Sequence, residues 1–142
     1  MIYKITAGLA GILFSLALTP LFAQKQSSID IVRVDARYEK EAMYFYQENW
    51  LAFRKVALIK GYISGYEMLR TETDSSHHFQ LFLVTEYPDS TAYRLREEHF
   101  APIMKSISPN GPKMLNQVER KVFLEYLAGY DTRRLIADRK NN

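Results

Sequence analysis

Cysteine is absent from the 142 residues. The chain therefore forms no disulfide, and no N-terminal cysteine is present to carry a lipid anchor. Small exported domains are commonly stabilised by disulfides, so a domain built from this sequence must depend on its hydrophobic core instead.

Several catalytic and phosphate-binding signatures are also missing. The sequence has no glycine-rich phosphate loop and no GxSxG, HExxH or CxxC motif. Nucleotide, dinucleotide, serine-hydrolase and zinc-protease functions therefore have no support. Charge of one sign is not concentrated either, because 19 lysine and arginine residues are scattered among 16 acidic ones. Nucleic-acid binders gather basic charge on one patch or helix, so no nucleic-acid partner is expected.

One long apolar run is present, from Ile5 to Leu18, and Pro20 and the small Ala23 follow it. This order predicts a secretory signal peptide over residues 1–23. The alternative is a retained membrane anchor, but a run of about 14 residues is shorter than the roughly 20 that a spanning helix needs. We therefore expect cleavage near Ala23, a periplasmic or secreted protein and no membrane span after processing.

The chain that remains after cleavage has the length of one ordinary domain. A domain of this size buries roughly two thirds of its unfolded surface, which is enough for a core. We assign residues 24–28 to a linker, 29–130 to the folded domain and 131–142 to a polar C-terminal tail.

The first part of the domain predicts a strand followed by a long helix. Hydrophobic residues alternate along residues 29–37, which is typical of a β-strand. From Glu39 to Lys60, aromatic and aliphatic residues recur at spacings of three and four, as in an amphipathic helix. Gly61 stands where a left-handed C-cap is favoured.

The middle of the domain predicts a β-hairpin. Residues 64–73 and 78–87 are rich in strand-forming residues and flank a turn at Asp74-Ser75-Ser76. The second run is apolar on nearly both faces, which suits an inner strand.

The last part predicts a second helix and a final strand. Asp89 or Ser90 can cap the helix by accepting hydrogen bonds from its first free amides. Pro102 is expected to end or kink this helix within a turn, because proline has no amide hydrogen to donate. Residues 119–130 predict the last strand.

This order of elements predicts an α+β, ferredoxin-like βαββαβ fold, with one four-stranded antiparallel sheet and both helices on one face. The strands carry apolar side chains in both directions, and aromatic residues make up 13% of the chain. The second face of the sheet would then expose a large apolar patch. A second copy covering that face would make the protein a homodimer.

The order of elements, the aromatic first helix, the hairpin segment FLVTEY and the segment REEHF resemble the dimeric α/β-barrel superfamily. This superfamily includes antibiotic-biosynthesis-type monooxygenases, haem-degrading monooxygenases and many exported proteins of unknown role. The resemblance covers about Ile29–Tyr130 and rests on pattern. It implies a homodimer with facing sheets and a cavity between sheet and helices, but no single chemistry.

Helical wheels identify a candidate ligand-binding site. Asn49 is the polar residue within the apolar sector of the first helix, and Arg96 and His99 lie within that of the second. Since both helices cover the same face of the sheet, these side chains are expected to converge, with Trp50 and other aromatic residues near them. The alternative is that Asn49 and His99 only satisfy core hydrogen bonds and that Arg96 extends past the core edge to solvent.

The neighbours His77 and His78 are not expected to bind a metal. Consecutive residues of a strand point to opposite faces, so two adjacent imidazoles rarely reach one ion. No metal site is predicted.

These patterns predict an exported, homodimeric α/β-barrel domain with a pocket for a small aromatic or apolar ligand and no cofactor. The alternative is a monooxygenase, cofactor-independent or haem-degrading, with His99 and Asn49 as catalytic candidates. In the haem-degrading branch the resemblance implies an Asn, a Trp and a second-helix His. His99 is on the matching element, but Asn49 and Trp50 lie on a helix and not on strands. A third interpretation is a structural interaction protein without a cavity.

Overall fold

A computed structural model of the chain describes residues 25–133. The predicted signal peptide lies outside the described residues, and so does the tail beyond Arg133. Within residues 25–133, no helix has the length and apolar composition needed to cross a membrane.

Four antiparallel strands form one sheet: β1 (Gln26–Asp35), β2 (Gly65–Arg70), β3 (His78–Tyr87) and β4 (Leu124–Arg133). Their spatial order is β2-β3-β1-β4. The two central strands are β1 and β3, which pair with each other, while β4 and β2 form the edges. With the helices in between, this order confirms the predicted α+β, ferredoxin-like fold.

The first helical stretch is interrupted by a π-helical segment. It consists of α1 (Glu39–Phe45), the π-segment (Tyr46–Leu51) and α2 (Ala52–Ile59), and a short 3-10 turn precedes it. Gly61 ends the stretch with a φ of 72°, and the Tyr62 amide donates to the Ala57 carbonyl at 2.9 Å. The predicted helix and its left-handed cap are confirmed, and the π-segment is an unpredicted feature.

The second helical stretch comprises α3 (Ser90–Arg94) and α4 (Arg96–Ile107). Asp89 is its N-cap, because its Oδ1 accepts hydrogen bonds from the Thr91 and Ala92 amides at 2.8 Å. Of the two capping candidates, Asp89 therefore makes the hydrogen bonds.

Of the two expected effects of Pro102, ending the helix does not occur, because α4 continues past the proline to Ile107. The missing hydrogen bond belongs to the carbonyl of Glu98, and both Glu98 and Pro102 are exposed. Water can therefore satisfy that carbonyl, while Ile103, 3% exposed, holds the following turn against the core.

The ends of the outer elements differ from the prediction. β1 begins at Gln26, inside the segment assigned to the linker. It ends at Asp35, whose carboxylate accepts from the Arg37 amide at 3.0 Å and starts the 3-10 turn. A helical turn, α5 (Arg120–Phe123), precedes β4, and β4 continues to Arg133, inside the assigned tail. Gln26 pairs with Arg133, because backbone pairing continues where side chains are polar.

Both helical stretches pack on one face of the sheet, which we call the helix face. Their core residues contact buried strand residues there, including Val32, Val34, Phe79, Leu81 and Tyr87. Alternate residues point the other way. The opposite surface, called the open face, carries apolar side chains that remain partly exposed: Ile29, Ile31, Leu69, Phe82 and Val84.

Candidate functional site

The helix face of the sheet has two unlike halves. On β1, Val32 and Val34 are buried in the core. Asp30 and Ser28, two and four residues before Val32, point to the same side of the sheet. We call the end with Val32 and Val34 the apolar half and the end with Ser28 and Asp30 the polar half. The polar residues do not fill the space under the helices, and a cleft opens there.

This cleft has a volume of about 450 Å³ and lies between α2 and α4 on one side and β1 and β4 on the other. Its lining is more polar than the apolar pocket that the sequence predicts. Aromatic rings and charged side chains both line it: Phe53, Tyr87, Phe100 and Tyr126, with Arg54, Arg96, Asp30, Glu97 and Asp131.

Arg54 is the central cation of the cleft. Its Nε donates to Thr85 Oγ1 at 3.0 Å and its Nη1 to the Trp50 carbonyl at 3.5 Å. The guanidinium lies 4.0 Å from the centre of the Trp50 ring and 5.2 Å from that of Phe100. Burial lowers the pKa of Arg54 to about 10, although the nearby Tyr87 and Asp30 act in the opposite direction.

No carboxylate in residues 25–133 lies within ion-pair distance of Arg54. Arg96, the second cation of the cleft, is better compensated. It donates to the Tyr93 carbonyl at 3.1 Å, lies 4.2 Å from the centre of the Tyr93 ring and is 3.7 Å from the Glu97 carboxylate.

The other two acids of the cleft also have partners. The Tyr126 hydroxyl donates to Asp30 Oδ1 at 3.4 Å. Asp131 lies close to Tyr93, and burial together with this neighbouring carboxylate raises the pKa of Tyr93. Gly129 on β4 allows the Tyr126 hydroxyl and Asp30 Oδ1 to lie close to the backbone. A Cβ at this position would collide with the Tyr126 hydroxyl and lie 3.1 Å from Asp30 Oδ1.

Of the predicted site residues, Arg96 lines the cleft and Asn49 does not. Asn49 is 3% exposed, and its Nδ2 donates to the carbonyls of Phe45 and Lys113 at 2.8 and 2.9 Å. Its Oδ1 accepts from the Lys113 amide at 2.9 Å. Asn49 therefore joins the π-segment to the loop after α4.

His99 and Trp50 also lie outside the lining of the cleft. His99 is half-buried and stacks on Tyr62, with ring centroids 3.9 Å apart and an interplanar angle of 10°. Its Nδ1 is buried without a hydrogen-bond partner among the described residues. Trp50 lies beneath the Arg54 guanidinium and contacts Tyr66 edge to face. The structure therefore does not bring Asn49, Arg96 and His99 together in this cleft.

A haem bound through His99 does not fit this cleft. A histidine that serves as an axial ligand needs a ring nitrogen facing the iron, but His99 does not line the cleft and its ring is covered by Tyr62. His78 lies at the hairpin, where its Nδ1 is 2.8 Å from the Ser76 carbonyl oxygen. Across residues 25–133, no group of three or more potential metal-ligating side chains is close enough to hold an ion.

The sequence pattern missed Arg54 because of the π-segment. A uniform α-helix turns about 100° per residue, which places Arg54 outside the apolar sector that contains Phe45 and Asn49. A π-turn contains an extra residue, so the following part of the helix is rotated by about that angle. Arg54 then faces Thr85 on the sheet. π-helical turns are frequent at functional sites, but no local sequence pattern identifies this one.

A comparison with protein-family models gave no match, and a comparison with curated proteins gave none either. Among solved structures, the chain is similar to a dimeric ferredoxin-like protein from an uncultured marine organism. The identity is 10%, the match covers 81% of this chain and 99% of that one, and the TM-score is 0.48. It is also similar to a protein of unknown function from Nitrosomonas europaea, with 13% identity, 85% and 99% coverage and a TM-score of 0.35. The ferredoxin-like fold of this chain rests on its own strand order and helix placement.

Proposed function

We propose that this protein is an exported, homodimeric small-molecule-binding domain that holds its ligand in the cleft of the polar half. The observation that carries the proposal is the cleft itself, with the half-buried guanidinium of Arg54. Its volume of about 450 Å³ falls within the roughly 300–1,000 Å³ that is typical of ligand pockets. Its lining combines aromatic rings with a few convergent polar groups, as such pockets do.

The homodimer is supported by the open face. Ile31 and Phe82 are paired on the two central strands, and Leu69 continues the same row on β2 with 47% of its surface exposed. Monomers rarely leave contiguous apolar patches of this kind in water, and a second copy would cover it symmetrically.

Export is supported by the sequence of residues 1–23, which has the order of a signal peptide. Protein recovered from the cell envelope should begin at Gln24, which intact-mass measurement can read directly. Full-length chain confined to the cytosol would contradict this part of the proposal.

Binding in the cleft is tested with two tryptophan substitutions on α4. Met104 lines the cleft and is 40% exposed, so Met104→Trp should fill the cleft from its mouth without disturbing the core. Lys105 is exposed and does not line the cleft, so Lys105→Trp is the matched control. Native mass spectrometry of protein purified from its host should find a small molecule on the wild type and on the control, and none on Met104→Trp. Equal occupancy in all three would place the ligand elsewhere.

The dimer is tested with Phe82→Glu on the open face and Ile59→Glu as the control, because Ile59 is 86% exposed and lies on α2. Light scattering coupled to size exclusion should give a monomer for Phe82→Glu and a dimer for the wild type and the control. Far-UV circular dichroism should show that both variants are folded. A monomeric wild type would contradict the proposed interface.

A further inference from the structure

Arg54 has unused hydrogen-bond donors at the cleft. A guanidinium carries five N–H groups, and in Arg54 one on Nε and one on Nη1 have acceptors in residues 25–133. The buried side-chain atoms without a partner in that range are Trp50 Nε1, His99 Nδ1 and Ser108 Oγ. Nη2 of Arg54 has no hydrogen bond within residues 25–133 and is not among these buried atoms, so its two N–H groups are accessible, and Arg54 lines the cleft.

The position of this guanidinium is fixed before any ligand arrives. Thr85, 1% exposed on a central strand, holds Nε, and the Trp50 ring supports the flat side of the group. A planar cation held from two directions presents its free edge in one orientation. A half-buried cation that has no carboxylate partner among residues 25–133 lowers stability, and an anionic ligand would offset that cost.

We infer that the ligand of the cleft is a small carboxylic acid with an aromatic body, and that Arg54 binds its carboxylate. This inference rests on the proposed function of the cleft. A carboxylate matches the paired donors of a guanidinium edge and forms charge-assisted hydrogen bonds with it. The rings of Phe53, Phe100 and Tyr87 line the same space and provide contacts for a planar apolar body.

The remaining charges of the cleft select a monoanion. Asp30, Glu97 and Asp131 line the cleft together with the two arginines. A phosphate monoester carries close to two negative charges at neutral pH and would be repelled more strongly by these three acids. Arg96 is already engaged by Tyr93 and Glu97, which leaves Arg54 as the anion receptor.

The inference is tested by titrating three probes of one shape: 2-naphthoate, its neutral analogue 2-naphthamide, and 2-naphthyl phosphate. Hydrogen bonds to a charged group contribute enough that naphthoate should bind the wild type at least about tenfold more tightly than naphthamide. Naphthyl phosphate should bind more weakly than naphthoate. Isothermal titration calorimetry measures all three dissociation constants.

The variants are Arg54→Gln, Arg54→Lys and Lys55→Gln. Arg54→Gln should abolish the preference for naphthoate over naphthamide, and Arg54→Lys should retain only part of it, because an ammonium lacks the paired donors. Lys55 is exposed on the same helix and does not line the cleft, so Lys55→Gln should bind like the wild type. Thermal melts report whether each variant is folded, and if Arg54→Gln is not, Arg54→Lys decides.

The outcomes separate this inference from the proposed function. If naphthamide binds as tightly as naphthoate, or if the preference survives in both Arg54 variants, the carboxylate assignment is overturned while the cleft remains a binding site. Tighter binding of naphthyl phosphate overturns the choice of carboxylate. If none of the probes binds the wild type and no molecule is retained through purification, the proposed function fails as well.

Discussion

The two halves of the helix face are made by the same strands and have opposite properties. In the apolar half, Val34 and Phe79 are paired across β1 and β3 and are 0% and 1% exposed. In the polar half, Ser28 is paired with Thr85 on the same two strands, and a cleft opens beside them. The first arrangement buries apolar surface and stabilises the fold. The second leaves space and a cation that has no ion-pair partner within residues 25–133, as binding sites often do.

The largest expected difference between the halves concerns packing. Phe79→Ala in the apolar half should lower the free energy of unfolding by about 3–5 kcal/mol, because it leaves a cavity in a closed core. Phe100→Ala in the polar half should cost less than half as much, since Phe100 is only half-buried and already borders the cleft. Urea denaturation of both variants measures the two losses. Equal losses would mean that the halves are packed alike.

A second expected effect concerns Asn49, which is buried and does not line the cleft. Asn49→Ala removes three hydrogen bonds to the backbone of Phe45 and Lys113. The loss should be about 2–3 kcal/mol, because buried backbone groups are left without partners. Gln47→Ala, at an exposed position of the same π-segment, should stay within about 0.5 kcal/mol of the wild type. A loss of ligand with unchanged stability would instead assign Asn49 to the binding site.

A smaller effect on stability, of the opposite sign, is expected when Arg54 is replaced. Arg54→Met replaces a half-buried cation by an apolar chain, so stability should change by less than about 1 kcal/mol and should rise. Lys55→Met provides the control for removing an exposed charge from the same helix. Thermal and urea denaturation measure both. A much larger loss of stability in Arg54→Met would show that Arg54 stabilises the core. That result would also count against its role as an anion receptor.

The smallest effect concerns Asp35, whose carboxylate forms an ion pair with Arg37. Arg37 donates hydrogen bonds to Asp35 from its side chain and its amide, which lowers the pKa of the Asp35 carboxyl from 3.8 to about 2. Because the folded-state pKa is the lower one, the stabilisation is present above pH 3.8 and is lost as the pH falls through about 2.

Asp35→Asn should therefore melt at a lower temperature than the wild type near neutral pH, and this difference should close between about pH 4 and pH 2. Melting curves over that range test the prediction. Glu72→Gln is the control, because Glu72 is exposed and its side chain has no partner within residues 25–133. A gap between Asp35→Asn and the wild type that is constant with pH would contradict the role of the carboxylate charge.

Much of the fold could be predicted from local patterns. The alternation along β1, the two runs of the hairpin and the turn of Gly61 are set by steric preferences and hydrophobicity over a few residues. The strand ends were less accurate, because pairing of Gln26 with Tyr87 and Arg133 depends on neighbouring strands and not on the hydrophobicity of Gln26. The continuation of α4 past Pro102 likewise depends on which side of the helix is exposed.

The candidate site was predicted much less well. The helical wheel placed Asn49, Arg96 and His99 inward, and Asn49 is indeed buried, but its partner Lys113 lies 64 residues away. The ring of His99 stacks on Tyr62 and is not paired with Asn49. These partners are determined by how distant segments of the chain pack. The spacing of hydrophobic residues along a helix carries no information about them.

The sequence by itself determined the order of strands and helices, the alternation that gives the sheet two faces, and the polar residues Ser28 and Asp30 at one end of β1. Only the tertiary structure decided where Arg54 points. The π-segment adds one residue to the helical turn between Phe45 and Arg54, and this rotation brings the guanidinium to Thr85 and the cleft. π-helical turns are rare, and the spacing of hydrophobic residues does not mark this one, so the site depends on contacts between distant segments that no local pattern encodes.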